Sequence, residues 1–490
     1  MKCLFVYPEY PDSFWSMKHI MELFSKKAYL PPLGLMTISA LMPESFERKL
    51  IDMNAEKLCD NDILWADYVF VSAMIVQKES SLSVIDRCNK LGKKVVAGGP
   101  MFTSIYQEFN GVDHFILNEA EVTMPMFLED LEKGELKHIY TSEIKPDLSL
   151  TPVPHYHLIN PQIYSVMPIQ YSRGCPFDCE FCDIVNLNGK IPRSKSPDQI
   201  IDELDAILKT GWKGDIFFVD DNFIGDKLKT KEVLRAIIEW RNNSKFKPSF
   251  FTEVSINAAD DEELLDLMSK AGFCFVFIGI ETPSMESLKE CNKFQNQNRS
   301  MLDSVRMFYK YGMEVSSGFI VGFDSDDETI FDRQLEFIQQ AGIPKAMIQL
   351  LQALPGTRLY KRIEEEGRLV TLSSGGHQDS TINFVPKMDK DLLVSGYKKL
   401  VKDVYSPKNY YNRVLNFLEF YNPISIGELE VHYIPPFLKA LLKLGFLSKG
   451  KRYFWKLFFV SLFKYPQSFF VGLECAMFYI HFSKVFDENY

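Results

Sequence analysis

Three cysteines, Cys175, Cys179 and Cys182, stand out for chemistry in the stretch Cys175-Pro-Phe-Asp-Cys179-Glu-Phe-Cys182. Thiolates at C-x3-C-x2-C can ligate three irons of a [4Fe–4S] cluster. Such clusters ordinarily take four cysteines, so a missing fourth leaves one iron open to another ligand. The next cysteines, Cys274 and Cys291, lie far downstream. Zinc fits poorly, because structural zinc sites are closed four-ligand cages and no His follows at finger spacing. The competing reading is three scattered core cysteines. Against it, Gly174 before the first cysteine and Phe181 before the third suit a tight loop wrapped around a cluster.

Such a loop must be carried by something rigid. Six strand-like runs accompany it, at Pro168–Ser172, Asp215–Val219, Phe250–Ser255, Cys274–Ile280, Val315–Val321 and Lys345–Ala353. Helical patterns lie between them, near Asp198–Leu208, Lys229–Arg241, Asp261–Ala271, Leu302–Tyr311 and Glu328–Gln340. Six βα units predict a partial (β/α)6 barrel, whose chemistry collects at the carboxyl ends of the strands. The cysteine loop follows the first strand and so belongs to that face. The other strand ends bring Asp220-Asp221-Asn222, Glu253, Glu281 in Gly279-Ile-Glu-Thr-Pro283, Gly318-Phe-Ile-Val-Gly322, Gln349, Gln352 and Gly356-Thr357. A carboxylate there can accept two charge-assisted hydrogen bonds from a ribose diol. Asp220 and Asp221 read equally well as helix caps. Arg193 and Lys195, after the cysteine loop, are expected at the surface.

The motif C-x3-C-x-aromatic-C, with Phe181 in the aromatic place, resembles the radical SAM superfamily. The resemblance implies that the open iron chelates S-adenosylmethionine (SAM) and that an electron through the cluster yields a 5′-deoxyadenosyl radical able to attack an unactivated C–H bond. It also implies roles for the strand ends: Glu281 on the ribose, Gly318 and Gly322 along the adenine, and Asp220, Asp221 and Asn222 near the SAM amino group. The match of that last trio to the family's Gly-Gly-Glu-like stretch is loose.

Upstream, roughly residues 1–140, apolar runs at Lys2–Tyr7, Lys49–Met53, Tyr68–Met74, Lys94–Ala97 and His114–Leu117 alternate with helical patterns such as Glu79–Leu91. This predicts a doubly wound, Rossmann-like (flavodoxin-type) parallel sheet. No GxGxxG phosphate cradle is present, so a nicotinamide cofactor is not indicated. Gly98 and Gly99 allow close backbone approach to a flat ligand, or simply a turn. Pro31-Pro-Leu-Gly-Leu35, Gly98-Gly-Pro100 and the position before a radical SAM motif look like the cobalamin-binding domain of class B radical SAM enzymes. The Asp-x-His-x-x-Gly pattern that supplies a cobalt-ligating His is absent, so the resemblance implies corrinoid held without a protein His; His114 reads as packed or capping. An empty, structural domain is the alternative.

Residues 141–165, within a proline-rich stretch, read as a linker, residues 166–385 as the barrel, and residues 390–490 as a small helical domain dense in aromatics. In this last segment Lys439, Lys443, Lys449, Lys451, Arg452, Lys456 and Lys464 punctuate Leu/Phe runs broken at Pro435-Pro436 and Pro466. Aromatic stripes at helical spacing usually fill a core, here one that covers the barrel mouth. The sharper reading is an apolar substrate tunnel or a basic face resting on membrane.

Composition bounds the rest. With 46% apolar and 24% charged residues, the chain has enough apolar residues to build several cores. A net charge of −10 argues against general nucleic-acid binding. Nine cysteines without scaffold spacing indicate a reducing compartment. The N-terminal run is too short for a signal peptide, and no run of eighteen or more apolar residues appears. The expectation is a cytoplasmic protein, peripheral at a membrane if at all.

Phe14-Trp15, Trp65-Ala-Asp67, Val219-Asp-Asp-Asn-Phe-Ile-Gly225 and Leu351-Gln-Ala-Leu-Pro355, with the motifs above, resemble the cobalamin-dependent subgroup that includes hopanoid 2-methyltransferase and the bacteriochlorophyllide methyltransferases. The resemblance implies methylation of an unactivated carbon in a lipid or other hydrophobic small molecule, with a flavodoxin- or ferredoxin-type reductant. The rivals are a cobalamin-binding oxidase or cyclase without methyl transfer, and a non-catalytic corrinoid-binding protein. A tRNA methylthiotransferase is disfavoured, since that family carries a second cysteine set in its first domain and a basic tail domain.

Overall fold

A computed structural model describes residues 1–373, 381–423 and 434–489. The chain divides into two compact units. One comprises Met1–Asp12, Lys26–Pro176 and Asp183–Val219; the other comprises Ser13–Ser25, Phe177–Cys182 and Asp220–Tyr490. The segment Ser13–Ser25, which follows the first strand, therefore belongs with the second unit.

The first unit opens with strands β1 (Lys2–Tyr7), β2 (Glu47–Asp52), β3 (Tyr68–Ser72), β4 (Lys94–Gly98), β5 (His114–Ile116) and β6 (Ile139–Tyr140). They form one sheet in the order β2-β1-β3-β4-β5-β6, parallel throughout. Leu4, Val6, Val69, Val71, Val95 and Ala97 are buried, as expected where a parallel sheet is covered on both faces. The order reverses at β1, which places the topological switch point between β1 and β3. The two-residue edge strand β6 was not expected from the sequence; it is too short to show a period.

The same unit continues with β7 (Met167–Ile169), β8 (Ser172–Arg173), β9 (Arg193–Ser194) and β10 (Ile216–Phe218). β7 and β10 pair in parallel, and β8 and β9 pair antiparallel on either side of the cysteine loop. The expected strand Pro168–Ser172 thus ends early, because Ser172 and Arg173 turn away to pair with β9.

The second unit supplies β11 (Phe250–Val254), β12 (Phe273–Glu281), β13 (Glu314–Val321) and β14 (Lys345–Leu350), parallel neighbours in chain order. These four are the parallel βα strands of the second unit. β14 stands at the end of its sheet, and the helix Lys390–Val404 and its C-cap serve it: the hydroxyls of Tyr397 and Tyr405 donate to the carbonyls of Ile348 (3.2 Å) and Ala346 (2.7 Å). Covering an edge in this way prevents pairing with another chain.

The helices Pro407–Phe420, Ile434–Leu442, Lys451–Lys464 and Phe469–Asn489 follow. Pro435 and Pro436 fall in the first turn of their helix, where proline is tolerated. Tyr410, Tyr411, Phe417, Phe454 and Phe482 are buried, so the aromatics do fill a core. This C-terminal segment meets both ends of β13: Leu393 packs against Gly322, just past its carboxyl end. The segment also reaches the amino ends of β13 and β14, where Lys345 pairs with Glu314 (3.2 Å) and lies 3.9 Å from the Phe478 ring.

No unbroken run of eighteen apolar residues is present, as expected, but among the described residues one helix is long and apolar enough to cross a membrane by length and composition. Pro466–Phe486 reaches a mean hydropathy of 1.3, with 56% of that window buried. Glu474, His481, Ser483 and Lys484 interrupt its apolar residues. Cys475, Ala476 and Phe482 are fully buried, so this helix serves as core.

A Cβ on Gly98 would lie 2.6 Å from the Ile116 carbonyl oxygen, whereas Gly34, inside the helix Leu33–Leu41, has nothing within 4 Å. Gly98→Ala should therefore destabilise the protein by about 1–3 kcal/mol. Gly34→Ala should be neutral or stabilise by up to about 1 kcal/mol. Chemical denaturation of the two variants side by side checks the difference.

Candidate active site

The cysteine loop starts from a constrained root. Gly174 has φ 95°, and a Cβ there would meet the carbonyl oxygens of Gly189, Ile191 and Asn188 at 2.9, 3.0 and 3.2 Å. Only glycine fits. The next residue, Cys175, donates its N–H to the Gly189 carbonyl (3.2 Å).

On either side of the loop, Arg173 from β8 and Arg193 from β9 converge on two buried carboxylates. Arg173 donates to Glu119 (2.8 Å) and to both oxygens of Glu121 (3.0 and 2.8 Å), and Arg193 donates to both oxygens of Glu119 (3.0 and 2.7 Å). Burial pushes Glu121 up, but Arg173 and the Thr151 hydroxyl overcome it and hold its pKa below the usual range. The surface placement expected for Arg193 and Lys195 is thus overturned. Arg193 is largely buried in this network, and Lys195 is buried against Glu203. Nothing in the sequence marks Glu119, 74 residues upstream, or Glu203, 8 residues downstream, as their partners, so composition alone read them as solvated.

Cys179 and Cys182 lie in the second unit. Between them, the Glu180 N–H donates to the Cys291 carbonyl (2.9 Å), and its own carbonyl accepts from the Leu359 N–H (2.9 Å). The Glu180 carboxylate is gripped by Arg362 (2.7 and 3.0 Å), which also donates to Asp324 (2.8 Å). Phe181 packs 6.2 Å from the Phe323 ring, with the Lys293 ammonium 6.0 Å from its own ring.

The three motif cysteines are half-buried thiols outside any disulfide. By contrast, burial pushes Cys3 and Cys88 up to about 12 and Cys291 up as well. Cys291 points its sulfur at the Leu288 carbonyl (3.7 Å), which suits a core thiol rather than a fourth ligand. Among the described residues no three His, Cys, Asp or Glu side chains converge as a single-ion site. A four-iron cluster is larger than one ion, so its thiolates need not meet at a point. Gln295 donates to the Cys179 sulfur (3.7 Å), and Cys179 and Cys182 both act on the buried Lys293. These donors suit thiolates, so the loop fits a cluster.

The remaining strand ends of this unit gather acids. Glu281 closes β12 with φ 66°, a conformation rare for a bulky side chain. A register shift against β13 falls between Gly279 and Glu281. Asn296 pins this bulge by donating to the carbonyls of Gly279 and Ile280 (both 3.0 Å). The Glu281 carboxylate then meets Lys293 at 2.7 Å. A Cβ at Gly279 would collide with both groups, at 2.3 and 2.8 Å.

Asp220 and Asn222 are buried, and Asn222 accepts from the Ser255 N–H and hydroxyl (both 3.2 Å). Glu253 faces Asp220, Asp221 and Glu281; burial first, then these three carboxylates, push its pKa up to about 8. Gly318 lies against Phe277, whose ring would be 3.2 Å from an added Cβ, and Gly322 at φ 104° donates its N–H to Asp326 (2.9 Å). The structure thus sets Glu281, Cys179 and Cys182 around Lys293, and Asp220, Asp221 and Glu281 around Glu253. Sequence reasoning missed Lys293 and Gln295, which lie outside any strand end. An acidic cluster of this kind suits a cation such as a sulfonium.

At the switch point of the first unit, Gln77 and Asn54 both donate to the Pro8 carbonyl (2.5 and 3.2 Å), and Tyr10 donates to Tyr7 (2.9 Å). A cavity of about 450 Å³ opens beyond β1 and β2, lined by residues that include Glu9, Asn54, Lys57 and Arg87. Gly98 and Gly99 approach their own chain closely, at Ile116 and Ser72. His114 is packed between Tyr68 and Phe127, with Nδ1 2.6 Å from the Lys137 carbonyl. The loops Pro8–Asp12, Ala73–Gln77, Gly98–Pro100 and Leu117–Glu119 contain no His. A ligand at that edge would be held without an imidazole from these loops.

Comparison with known proteins agrees with this geometry. Residues 169–338 match the radical SAM superfamily, and residues 357–490 match a domain of unknown function, DUF4070. The chain is 41% identical over 416 residues to an uncharacterised methyltransferase, sll1242, of Synechocystis sp., covering 84% of this chain and 78% of that one. It is 35% identical over 412 residues to the hopanoid C-2 methylase of Rhodopseudomonas palustris, covering 83% and 77%. A solved structure of the cobalamin-dependent SAM radical enzyme OxsB, with aqua-cobalamin and SAM bound, superimposes with a TM-score of 0.65 over 99% of this chain and 80% of that one, at 17% identity. The chain belongs to the radical SAM superfamily and, within it, to the methyltransferase group that these two relatives define. Members of the superfamily work with a [4Fe–4S] cluster and SAM, which the three-cysteine loop and the acidic strand ends fit.

Because Glu253 keeps its proton to about pH 8 when folded but loses it near 4.3 when unfolded, the folded state binds the extra proton between those values. Stability attributable to this residue therefore falls as pH rises through that window. Glu253→Gln should raise the Tm of the cofactor-free protein by a few degrees at pH 8 and change it little at pH 4.5. A pH series of thermal melts checks the slope.

Proposed function

We propose that this chain is a cobalamin-dependent radical SAM C-methyltransferase acting on a hydrophobic small molecule or lipid. In this reading residues 1–140 hold the corrinoid, residues 166–385 form the radical SAM core, and residues 390–490 form an accessory helical domain. The reading is carried by 35% identity to the hopanoid C-2 methylase across most of both chains. The observed sheet order and the switch-point loops of the first unit support it.

When bound, the cofactors supply a SAM-derived radical and a cobalt-borne methyl group. Cys175, Cys179 and Cys182 hold the cluster, Phe181 packs beside it, and Gln295 donates to Cys179. Glu281, oriented by Lys293, would take the ribose; Gly318 and Gly322 would run along the adenine; and Asp220, Asp221 and Asn222 would face the amino group. Gly98 and Gly99 shape the corrinoid edge. A flavodoxin- or ferredoxin-type reductant supplies electrons, and the protein works in the cytoplasm, peripheral at a membrane.

The test is metal content. After anaerobic expression with cobalamin and cluster reconstitution, about four irons and one cobalt per chain are expected. Cys179→Ala should lose the iron and keep the cobalt. Methyl-labelled SAM incubated with a lipid extract should then give a labelled lipid. Four irons without cobalt, where a control enzyme loads, would overturn the corrinoid reading and leave radical SAM chemistry alone.

A further inference from the structure

The C-terminal helices expose a surface unlike the rest of the chain. Residues 431–473 contain seven Lys or Arg and no Asp or Glu, in a protein of net charge −10. Eight of the large apolar side chains that stand exposed fall in the same stretch, including Leu442, Phe446, Leu447 (82%), Phe459 and Phe463 (79%).

Four aromatic residues of this stretch form one row. Along the helix Lys451–Lys464, Trp455, Phe459 and Phe463 recur every fourth residue and so share a face. Their rings follow one another at 5.7 and 6.5 Å, and Phe446 joins the row 5.8 Å from Trp455. Trp455 is half-buried and donates its indole N–H to the Gly445 carbonyl (2.9 Å), which locks the turn bearing Phe446 to the helix. Arg452 and Lys456 flank the row by helical spacing, and Lys449 and Lys451 stand at its amino end. Among the described residues none of the seven cations forms an ion pair within the chain.

We infer that this face seats on the surface of a bilayer containing anionic lipid, with Phe446, Phe459 and Phe463 among the acyl chains and the seven cations at the phosphates. A row of exposed aromatics rimmed by Lys and Arg, in a stretch that carries no acid of its own, is the signature of an interfacial helix, and each cation adds attraction to an anionic leaflet. Among the described residues Glu22 and Glu419, from other segments, act on Lys443 and Lys464 alone of the seven. A second copy of the chain fits poorly, because two such faces would oppose seven cations to seven. The inference deepens the hydrophobic-substrate reading by placing the enzyme where a lipid is found. It needs no cofactor, so its failure and that of the corrinoid reading are separate results.

The test is flotation of the purified full chain with vesicles of phosphatidylcholine alone, or with roughly a third phosphatidylglycerol. Binding to the anionic vesicles at low salt, weakened at roughly 0.5 M salt, is expected. Phe459→Asp with Phe463→Asp should weaken it about tenfold or more while leaving the melting curve unchanged, since both rings are exposed. Lys451→Gln, Arg452→Gln and Lys456→Gln together should weaken it and flatten its salt dependence. Three results would overturn the proposal: no flotation with anionic vesicles, equal flotation with both compositions, or a dimer in light scattering that Phe463→Asp dissociates, which would reassign the face to a second copy.

Discussion

Two buried carboxylates and the arginines that neutralise them decide where the cysteine loop begins. Glu119 and Glu121 stand at the start of the helix that follows β5, and Arg173 and Arg193 come from the two short strands bracketing the loop. None of the four can leave without stranding a charge in a poorly solvated place, which costs far more than the pair contributes. The bidentate geometry adds direction to that constraint. Gly174, the residue next to Arg173, then turns the chain where any side chain would strike three carbonyls. Charge pairing and a steric requirement at consecutive residues thus launch the loop along one path.

A second constraint acts at the end of β12. Glu281 adopts a backbone conformation that costs energy for its type, held by Asn296 on two successive carbonyls and by Gln334 on the Ile320 carbonyl next to the bulge. The bulge re-aims the Glu281 carboxylate at Lys293, which in turn feels the thiols of Cys179 and Cys182. Strain at such a strand end, supported by buried amides, is the pattern expected of a prepared binding site.

The C-terminal region does two things with one set of helices. Its buried face closes the exposed edge of β14 through tyrosine hydroxyls and buries Arg413 against the Val404 carbonyl (2.8 Å) and the rings of Tyr405 and Tyr410. Its opposite side, around Phe459 and Phe463, carries apolar rings with no acidic residue near them in sequence. A single helical pattern rich in aromatics therefore contains both a core and a surface, which composition alone could not separate.

By itself the sequence determined the chemistry-bearing loop, the superfamily and nearly every strand of both sheets, because thiolate spacing and apolar periodicity are local properties. The strand starting at Phe250 and the helix ending at Ala271 lie where the pattern places them. Tertiary structure alone decided the partners. Arg193 and Lys195 read as surface cations until an acid distant in sequence, and another well inside the next helix, closed over them. Lys293 and Gln295 gave no signal, because a loop residue becomes part of a site only when folding brings it to the thiols. Tertiary structure also put the tail at the amino ends of β13 and β14 and moved Ser13–Ser25 into the second unit. Burial, pKa and the pairing of distant charges are set by what surrounds a residue in space, and spacing along the chain does not encode that.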